Sequence, residues 1–100
     1  MILNDLFDRK IRLTDERQRH FEEDHPEMRN QMEKIKETLI NPDIIVRSKI
    51  DSQVELFYKH YPITSVTEKY LCIIVKVLKD ITAYFTDAIK RGEILWEKKY

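Results

Sequence analysis

The sequence is short of the residues that small domains use for tight turns and covalent cross-links. Its 100 residues include one glycine and one cysteine. A glycine-rich phosphate loop is therefore excluded, as are an intramolecular disulfide and a zinc site of the CxxC type. The cysteine, Cys72, lies in the apolar run Leu71–Val75, so we expect a buried and unreactive thiol. This cysteine usage favours a cytoplasmic location.

The chain also lacks an excess of charge and a long apolar run. Eighteen Lys and Arg residues balance eighteen Asp and Glu residues, with no basic block. Bulk attraction to nucleic acid is therefore not encoded, although a local basic patch is compatible with this balance. No apolar run approaches the roughly 20 residues of a membrane helix, and MILNDLFDRK lacks the apolar core of a signal peptide. Because 42% of the residues are hydrophobic, we expect one folded domain over residues 1–100, without membrane association.

Two helices are predicted in the first part of the chain. Thr14 or Asp15 can cap a first helix that reaches about residue 24. Pro26 then interrupts it, because the residue before a proline avoids helical angles.

The second helix is predicted from about Pro26 to residue 40, since proline suits the first helical turn, with Asp24 or His25 at the cap. One apolar stripe with helical spacing marks its core side, consisting of Met28, Met32, Ile35 and Leu39.

From Asp43 onward the pattern changes to alternating β-branched and aromatic residues, which predicts strands. Gly92, the single glycine, could end a short helix that begins at Thr86 or Asp87. Helices followed by strands predict an α+β fold, with two N-terminal helices packed on a four- to five-stranded antiparallel sheet. The candidate strands cover residues 43–49, 54–61, 69–77, 81–86 and 93–98.

The parity of the loop between the third and fourth predicted strands fixes which side chains share a face. Both apolar rows face the same side only if the loop has an odd number of residues. A three-residue loop, Leu78-Lys79-Asp80, satisfies this condition. It predicts Val77 opposite Ile81, Val75 opposite Ala83, and Ile73 opposite Phe85.

The same register gathers polar side chains on the other face of the sheet. Lys76 is predicted opposite Thr82, with Tyr84 farther along. This surface is either an ordinary half-solvated sheet face or a functional one. Two neighbouring strands are ambiguous in orientation. One orientation of residues 54–61 would add Phe57 and Lys59 to this surface, and either Arg47 or Ser48 can project towards it.

The segment RHFEEDHPEM brings two histidines close together in the sequence. His20 and His25 are five positions apart, which does not align them on one helical face, and Pro26 separates them, so no metal site is expected. Metal-free cleavage of RNA needs a group that exchanges protons and cations or donors that hold the phosphate. A histidine titrates near the useful pH, and the polar sheet face has residues of the second kind.

A series of short motifs follows one another along the chain. They are His20, His25-Pro26-Glu27, Thr38-Leu39-Ile40-Asn41-Pro42-Asp43-Ile44, Leu56-Phe57-Tyr58-Lys59, Leu71-Cys72-Ile73-Ile74-Val75-Lys76, Ile81-Thr82-Ala83-Tyr84 and Gly92-Glu93-Ile94-Leu95-Trp96. Over roughly residues 9 to 98 the chain resembles the phage-associated branch of the Barnase–EndoU–colicin–RelE-like nucleases. The resemblance implies a metal-independent endoribonuclease without a cofactor, of the kind found as a toxin or phage-encoded effector, with RNA as substrate and an antitoxin or immunity protein as a partner.

The resemblance also implies roles for individual residues. His20 would be the acid or base, Lys59 and Lys76 would hold the phosphate, and Thr82 would position or donate. The remaining substrate-binding candidates are Arg47, Ser48, Tyr84 and His25, of which His25 also has the position of a structural helix cap.

Two other functions compete with the nuclease hypothesis. A non-catalytic interaction module, or an inactivated relative of the nuclease, is favoured by the zero net charge and by the aromatic end around Trp96 and Tyr100. Pairing of the edge strand at 93–98 with a second copy would give a homodimer under either hypothesis. A DNA-binding domain fits less well, because the helix at 26–40 is mixed in charge.

Overall fold

The computed structural model describes residues 1–62, 70–76 and 80–99. No helix in these ranges is both long and apolar enough to cross a membrane. The elements in chain order are β1 (Ile2–Asn4), β2 (Lys10–Arg12), α1 (Asp15–Asp24), a 3-10 turn (Pro26–Met28), α2 (Met32–Ile40), β3 (Ile44–Arg47), β4 (Val54–His60), β5 (Tyr70–Lys76), β6 (Asp80–Thr86) and β7 (Glu93–Glu97).

Five antiparallel strands form the main sheet in the order β6-β5-β4-β3-β7. The prediction of an α+β fold with a four- to five-stranded antiparallel sheet is therefore confirmed, and the sheet has five strands. Each predicted strand is present, because alternating β-branched and aromatic residues supply both an inner and an outer face. Residues 69 and 77 of the third predicted strand lie outside the described residues, as do Tyr100 and residues 63–67 of the preceding linker.

A short N-terminal hairpin was not predicted from the sequence. Strands β1 and β2 pair antiparallel, and Asp8 adopts a left-handed conformation (φ 62°) in their connection. Asp5 organises that turn, because its Oδ1 accepts hydrogen bonds from the N–H groups of Phe7 and Arg9. Arg9 then ties the hairpin to the main sheet through two hydrogen bonds to the carboxylate of Glu55 on β4.

The helical region agrees with the prediction at α1 and differs at α2. Thr14 caps α1, because its Oγ1 accepts a hydrogen bond from the N–H of Arg17 at 3.1 Å. Helix α2 begins at Met32 and not near Pro26, which starts only a 3-10 turn. The predicted helix is interrupted because Arg29 is extended and Asn30 is left-handed (φ 61°). The side chain of His25 makes no capping hydrogen bond.

The main hydrophobic core joins one face of the sheet to the helices and the N-terminal hairpin. It contains Phe21 of α1, together with Ile35 and Leu39 of α2. Met28 is fully buried in the same core and Met32 packs against it, so the apolar stripe is core packing as predicted. The sheet contributes Ile45, Phe57, Leu71, Ile73, Val75, Ile81, Ala83 and Phe85.

The hairpin of β5 and β6 has the predicted parity but a different register. Ile73 pairs with Ala83 and Leu71 pairs with Phe85, so β6 is shifted by two residues from the predicted alignment. A shift of two preserves the face of every side chain, which is why alternation alone could not distinguish the two registers. The predicted partner of Ile81, Val77, lies outside the described residues together with Leu78 and Lys79, and Asp80 belongs to β6.

The opposite face of the sheet carries a second buried cluster, whereas the residues of β6 on that face are half-exposed, as expected for a half-solvated surface. Val46, Leu56, Tyr58 and Cys72 are its buried members. The connection from β6 to β7 links the two edges of the sheet, and its Ile89 packs against this cluster. The N–H of Lys90 donates to the Tyr58 hydroxyl at 3.1 Å. Residues 87–92 therefore cover part of this face and contain no helix, contrary to the prediction for Thr86 or Asp87.

Candidate functional site

An open pocket of about 370 Å³ lies where α1, β2 and the start of β6 come together. Its cationic groups are Arg12 on β2 and Arg17 on α1, and its imidazole is His20. The acidic groups Glu16 and Asp80 also line it, and Thr14 completes the lining. The pocket therefore combines two permanent positive charges, two carboxylates and one imidazole.

The geometry of α1 places the helical members of this pocket on one side. Arg17 and His20 are separated by three positions and Glu16 and His20 by four, spacings that bring helical side chains together. His20 Nε2 lies 4.0 Å from Glu16 Oε1, and 48% of the histidine side chain is exposed. An imidazole in this position is accessible to a ligand and has a carboxylate beside it.

Asp80 connects the pocket to the β5–β6 hairpin. Its Oδ2 lies 2.8 Å from Arg17 Nη2, and its backbone pairs with that of Lys76. Lys76 Nζ lies 3.4 Å from Asp51 Oδ2. Thr82 shares the face of Lys76, as predicted, but it pairs with Ile74 because of the register shift. Asp80 thus lies between the pocket and the predicted pair of Lys76 and Thr82.

Tyr84 and His25 form a stacked pair farther along β6. Their ring centroids are 5.5 Å apart with an interplanar angle of 28°. His25 Nδ1 is also 3.7 Å from Glu27 Oε2. Burial raises the pKa of Tyr84, and the neighbouring Cys72 raises it further. This tyrosine therefore stays protonated across the physiological range, where it can donate a hydrogen bond but not act as a base.

Three predicted site residues lie away from this pocket, which corrects their expected grouping with Lys76 and Thr82. Lys59 lies on the opposite face of the sheet, in the same row as Phe57, and its Nζ donates to the carbonyl oxygen of Asn41 at 3.0 Å. The orientation of β4 decides this, because burying Phe57 in the main core places Lys59 on the core side.

Arg47 and Ser48 are engaged in local structure at the end of β3. Arg47 Nε lies 2.9 Å from Glu93 Oε1, and its Nη1 donates to the carbonyl oxygen of Ser52 at 2.8 Å. Ser48 Oγ accepts hydrogen bonds from the N–H groups of Ile50 and Asp51. These contacts hold the β3–β4 turn together, so neither residue joins the pocket.

A second pocket of about 310 Å³ lies at the other end of β4 and β5 and includes His60 and Tyr70. Its carboxylates belong to Asp43 and Glu97. Asp43 Oδ2 already accepts a hydrogen bond from the His60 N–H, and the rings of His60 and Tyr70 contact each other in a tilted arrangement. With a single cation, Lys98, this pocket is less suited to a phosphate than the first.

Neither metal coordination nor similarity to other proteins identifies the site. Among the side chains in the described ranges, no group of three or more His, Cys, Asp or Glu residues could hold a metal ion. Comparison with family models, with curated proteins and with solved structures finds no match. The functional argument therefore depends on the geometry and charge of the pocket.

The sequence contained a partial signal for this pocket. The helical spacing of Arg17 and His20 could have marked them as neighbours, but only His20 was singled out. Arg12 at the end of β2 and Asp80 at the start of β6 are 68 positions apart in the sequence (80 − 12), so only tertiary packing brings them together beside α1.

Proposed function

We propose that this protein is a small metal-independent endoribonuclease of the Barnase–EndoU–colicin–RelE-like type, acting in the cytoplasm. The observation that carries the proposal is the exposed His20 in an open pocket beside Arg12 and Arg17. A histidine can exchange protons near neutral pH, and arginines can bind a phosphate through their planar set of N–H donors. Both requirements of metal-free phosphoryl transfer thus meet in one pocket.

The proposed reaction is an attack of the ribose 2′-hydroxyl oxygen on the adjacent phosphorus. A base accepts the 2′-hydroxyl proton, the bond from phosphorus to the 5′ oxygen breaks, and an acid protonates that leaving oxygen. The products are a 2′,3′-cyclic phosphate and a free 5′-hydroxyl. His20 serves as the acid or base, and Arg12 and Arg17 hold the negative charge of the pentavalent phosphate.

The substrate would continue from the pocket along β6. Lys76 and Thr82 lie on the same face as Asp80, and Tyr84 follows at the next position of that face. Successive residues on one face of a strand are about 7 Å apart, which is close to the spacing of phosphates in an extended RNA chain. Lys59, Arg47 and Ser48 have no part in this proposal because of the contacts described above.

The first experiment compares two histidine variants in an RNA cleavage assay with EDTA present. We expect wild-type protein to leave 2′,3′-cyclic phosphate ends, and His20→Ala to cleave at least about tenfold more slowly. His60→Ala is the matched control, because it removes an imidazole from the second pocket and should retain the wild-type rate. Equal rates for the wild type and His20→Ala, with both proteins folded, would refute the assignment of His20.

A non-catalytic interaction module is the second candidate. It is favoured by the position of β7 at an edge of the described sheet and by Ile94, an apolar residue that is 55% exposed. An exposed strand edge with an apolar residue can pair with another chain. This candidate predicts no cleavage together with a stable dimer or hetero-complex by light scattering, with an antitoxin or immunity protein among the expected partners. Cleavage by a purified monomer would argue against it.

A further inference from the structure

In this pocket the carboxylate of Asp80 already binds the guanidinium of Arg17. Asp80 Oδ2 lies 2.8 Å from Arg17 Nη2, which is the distance of a charge-assisted hydrogen bond. The two side chains are 38% and 42% exposed, so the ion pair is solvated and can exchange. A phosphate that approached Arg17 would compete for the same N–H donors, because arginine binds carboxylates and phosphates through the same planar set of donors.

Neither Lys76 nor Glu16 neutralises the negative charge of Asp80. Lys76, its neighbour across the strand pair, has its Nζ 3.4 Å from Asp51 Oδ2. Glu16 adds a further carboxylate near His20. The charges of the two arginines of the pocket equal in number those of its two carboxylates. A ligand with one negative charge would therefore replace Asp80 at Arg17 with little gain, whereas a ligand with several charges would also engage Arg12.

We infer that the carboxylate of Asp80 competes with phosphate for binding to Arg17, so that the pocket selects multiply charged phosphates over singly charged anions. The inference rests on the proposed function in one respect, namely that this pocket binds the phosphate of the substrate. It assigns to Asp80 a role in specificity that the sequence did not indicate. Removing the charge of Asp80 should strengthen phosphate binding. If Asp80 only oriented Arg17, the same substitution would weaken phosphate binding.

The test is a titration of the isotope-labelled protein with inorganic phosphate at low ionic strength, followed by NMR at the amides of Arg17 and His20. We expect Asp80→Asn to bind phosphate about fourfold more tightly than the wild type or better, the effect of one unit charge about 5 Å away in water. Asp87→Asn is the matched control, because it removes an exposed carboxylate just beyond the other end of β6 that does not line the pocket. It should leave the affinity unchanged.

A double variant separates local competition from a change of net charge. In the Arg17→Ala background, Asp80→Asn should give no gain, because the contested cation is absent. Unchanged or weaker binding by Asp80→Asn overturns the inference, as does an equal gain in Asp87→Asn. RNA cleavage is measured separately. Tighter phosphate binding by Asp80→Asn without any RNA cleavage would contradict only the nuclease proposal. RNA cleavage without tighter phosphate binding would contradict only this inference.

Discussion

Gly92 lies where the connection from β6 approaches the backbone of β3. A Cβ atom on this residue would overlap the carbonyl oxygen of Arg47 and would lie 2.7 Å from Val46 Cγ1. Arg47 pairs with Glu93 in the register of β3 and β7, so the obstruction falls next to the first pair of that ladder. The residue is glycine because of this close approach, and not because it ends a helix.

Gly92→Ala should therefore destabilise the protein by about 1–3 kcal/mol, the usual cost of adding a methyl group to a packed site. The measurement is the free energy of unfolding in denaturant. Arg91→Ala, a change at an exposed neighbour, should stay within about 0.5 kcal/mol of the wild type. A neutral Gly92→Ala variant would show that the β3 and β7 backbones can separate at no cost.

Cys72 is buried between two tyrosines in the second cluster. Burial raises the pKa of its thiol from 9.0 to about 11, although hydrogen bonds from Tyr84 and Tyr58 partly oppose this rise. Burial also raises the pKa of Tyr58 and of Tyr84. The folded protein thus favours the protonated form of all three groups, and the thiol is not poised for nucleophilic chemistry.

The sign of these shifts predicts a loss of stability at high pH. Below pH 9 the thiol is protonated in both the folded and the unfolded chain, so it has no effect. As the pH rises from 9 to about 11, ionisation of the unfolded chain lowers the stability by about 2–3 kcal/mol through Cys72 alone. The two tyrosines act in the same direction at higher pH.

Denaturant unfolding of the wild type and Cys72→Ala at a series of pH values measures this contribution. The difference between the two proteins should change over that interval and stay constant below it. At pH 8 a thiol reagent should label Cys72 only after unfolding. Rapid labelling of the folded protein would contradict the buried position.

At the scale of elements, the N-terminal hairpin is held to the sheet by a charged cluster. Arg9 lies between Asp5, which is 2% exposed, and Glu55, which is 7% exposed. These contacts raise the pKa of Arg9, chiefly through its hydrogen bond to Glu55. Two nearly buried carboxylates therefore depend on one guanidinium.

Arg9→Ala should destabilise the protein by about 3 kcal/mol, because both carboxylates would lose their compensating charge. Arg47→Ala is the matched control, since Arg47 also pairs with a glutamate, Glu93, but at the exposed surface. It should cost at most about 1 kcal/mol. Thermal unfolding of the two variants measures the contrast, and equal losses would argue against a structural role for the buried cluster.

The success of prediction differed among the elements for physical reasons. The five strands were predicted because their alternation is local and sustained. The start of α2 was misplaced, because proline at a helix start is a preference that the conformations of Arg29 and Asn30 override. The β1–β2 hairpin was missed because each strand has only three residues, too few to establish a period.

At the scale of the whole molecule, the sequence by itself determined the α+β class, the five strands of the main sheet and the face on which each side chain of the β5–β6 hairpin lies. These features follow from periodicity and parity, which are properties of neighbouring residues. Only the tertiary structure decided the register among alignments of equal parity, the partial burial of the second sheet face and the grouping of Arg12, Arg17, His20 and Asp80. Those depend on contacts between residues distant in the chain, and no local pattern specifies which distant residues meet.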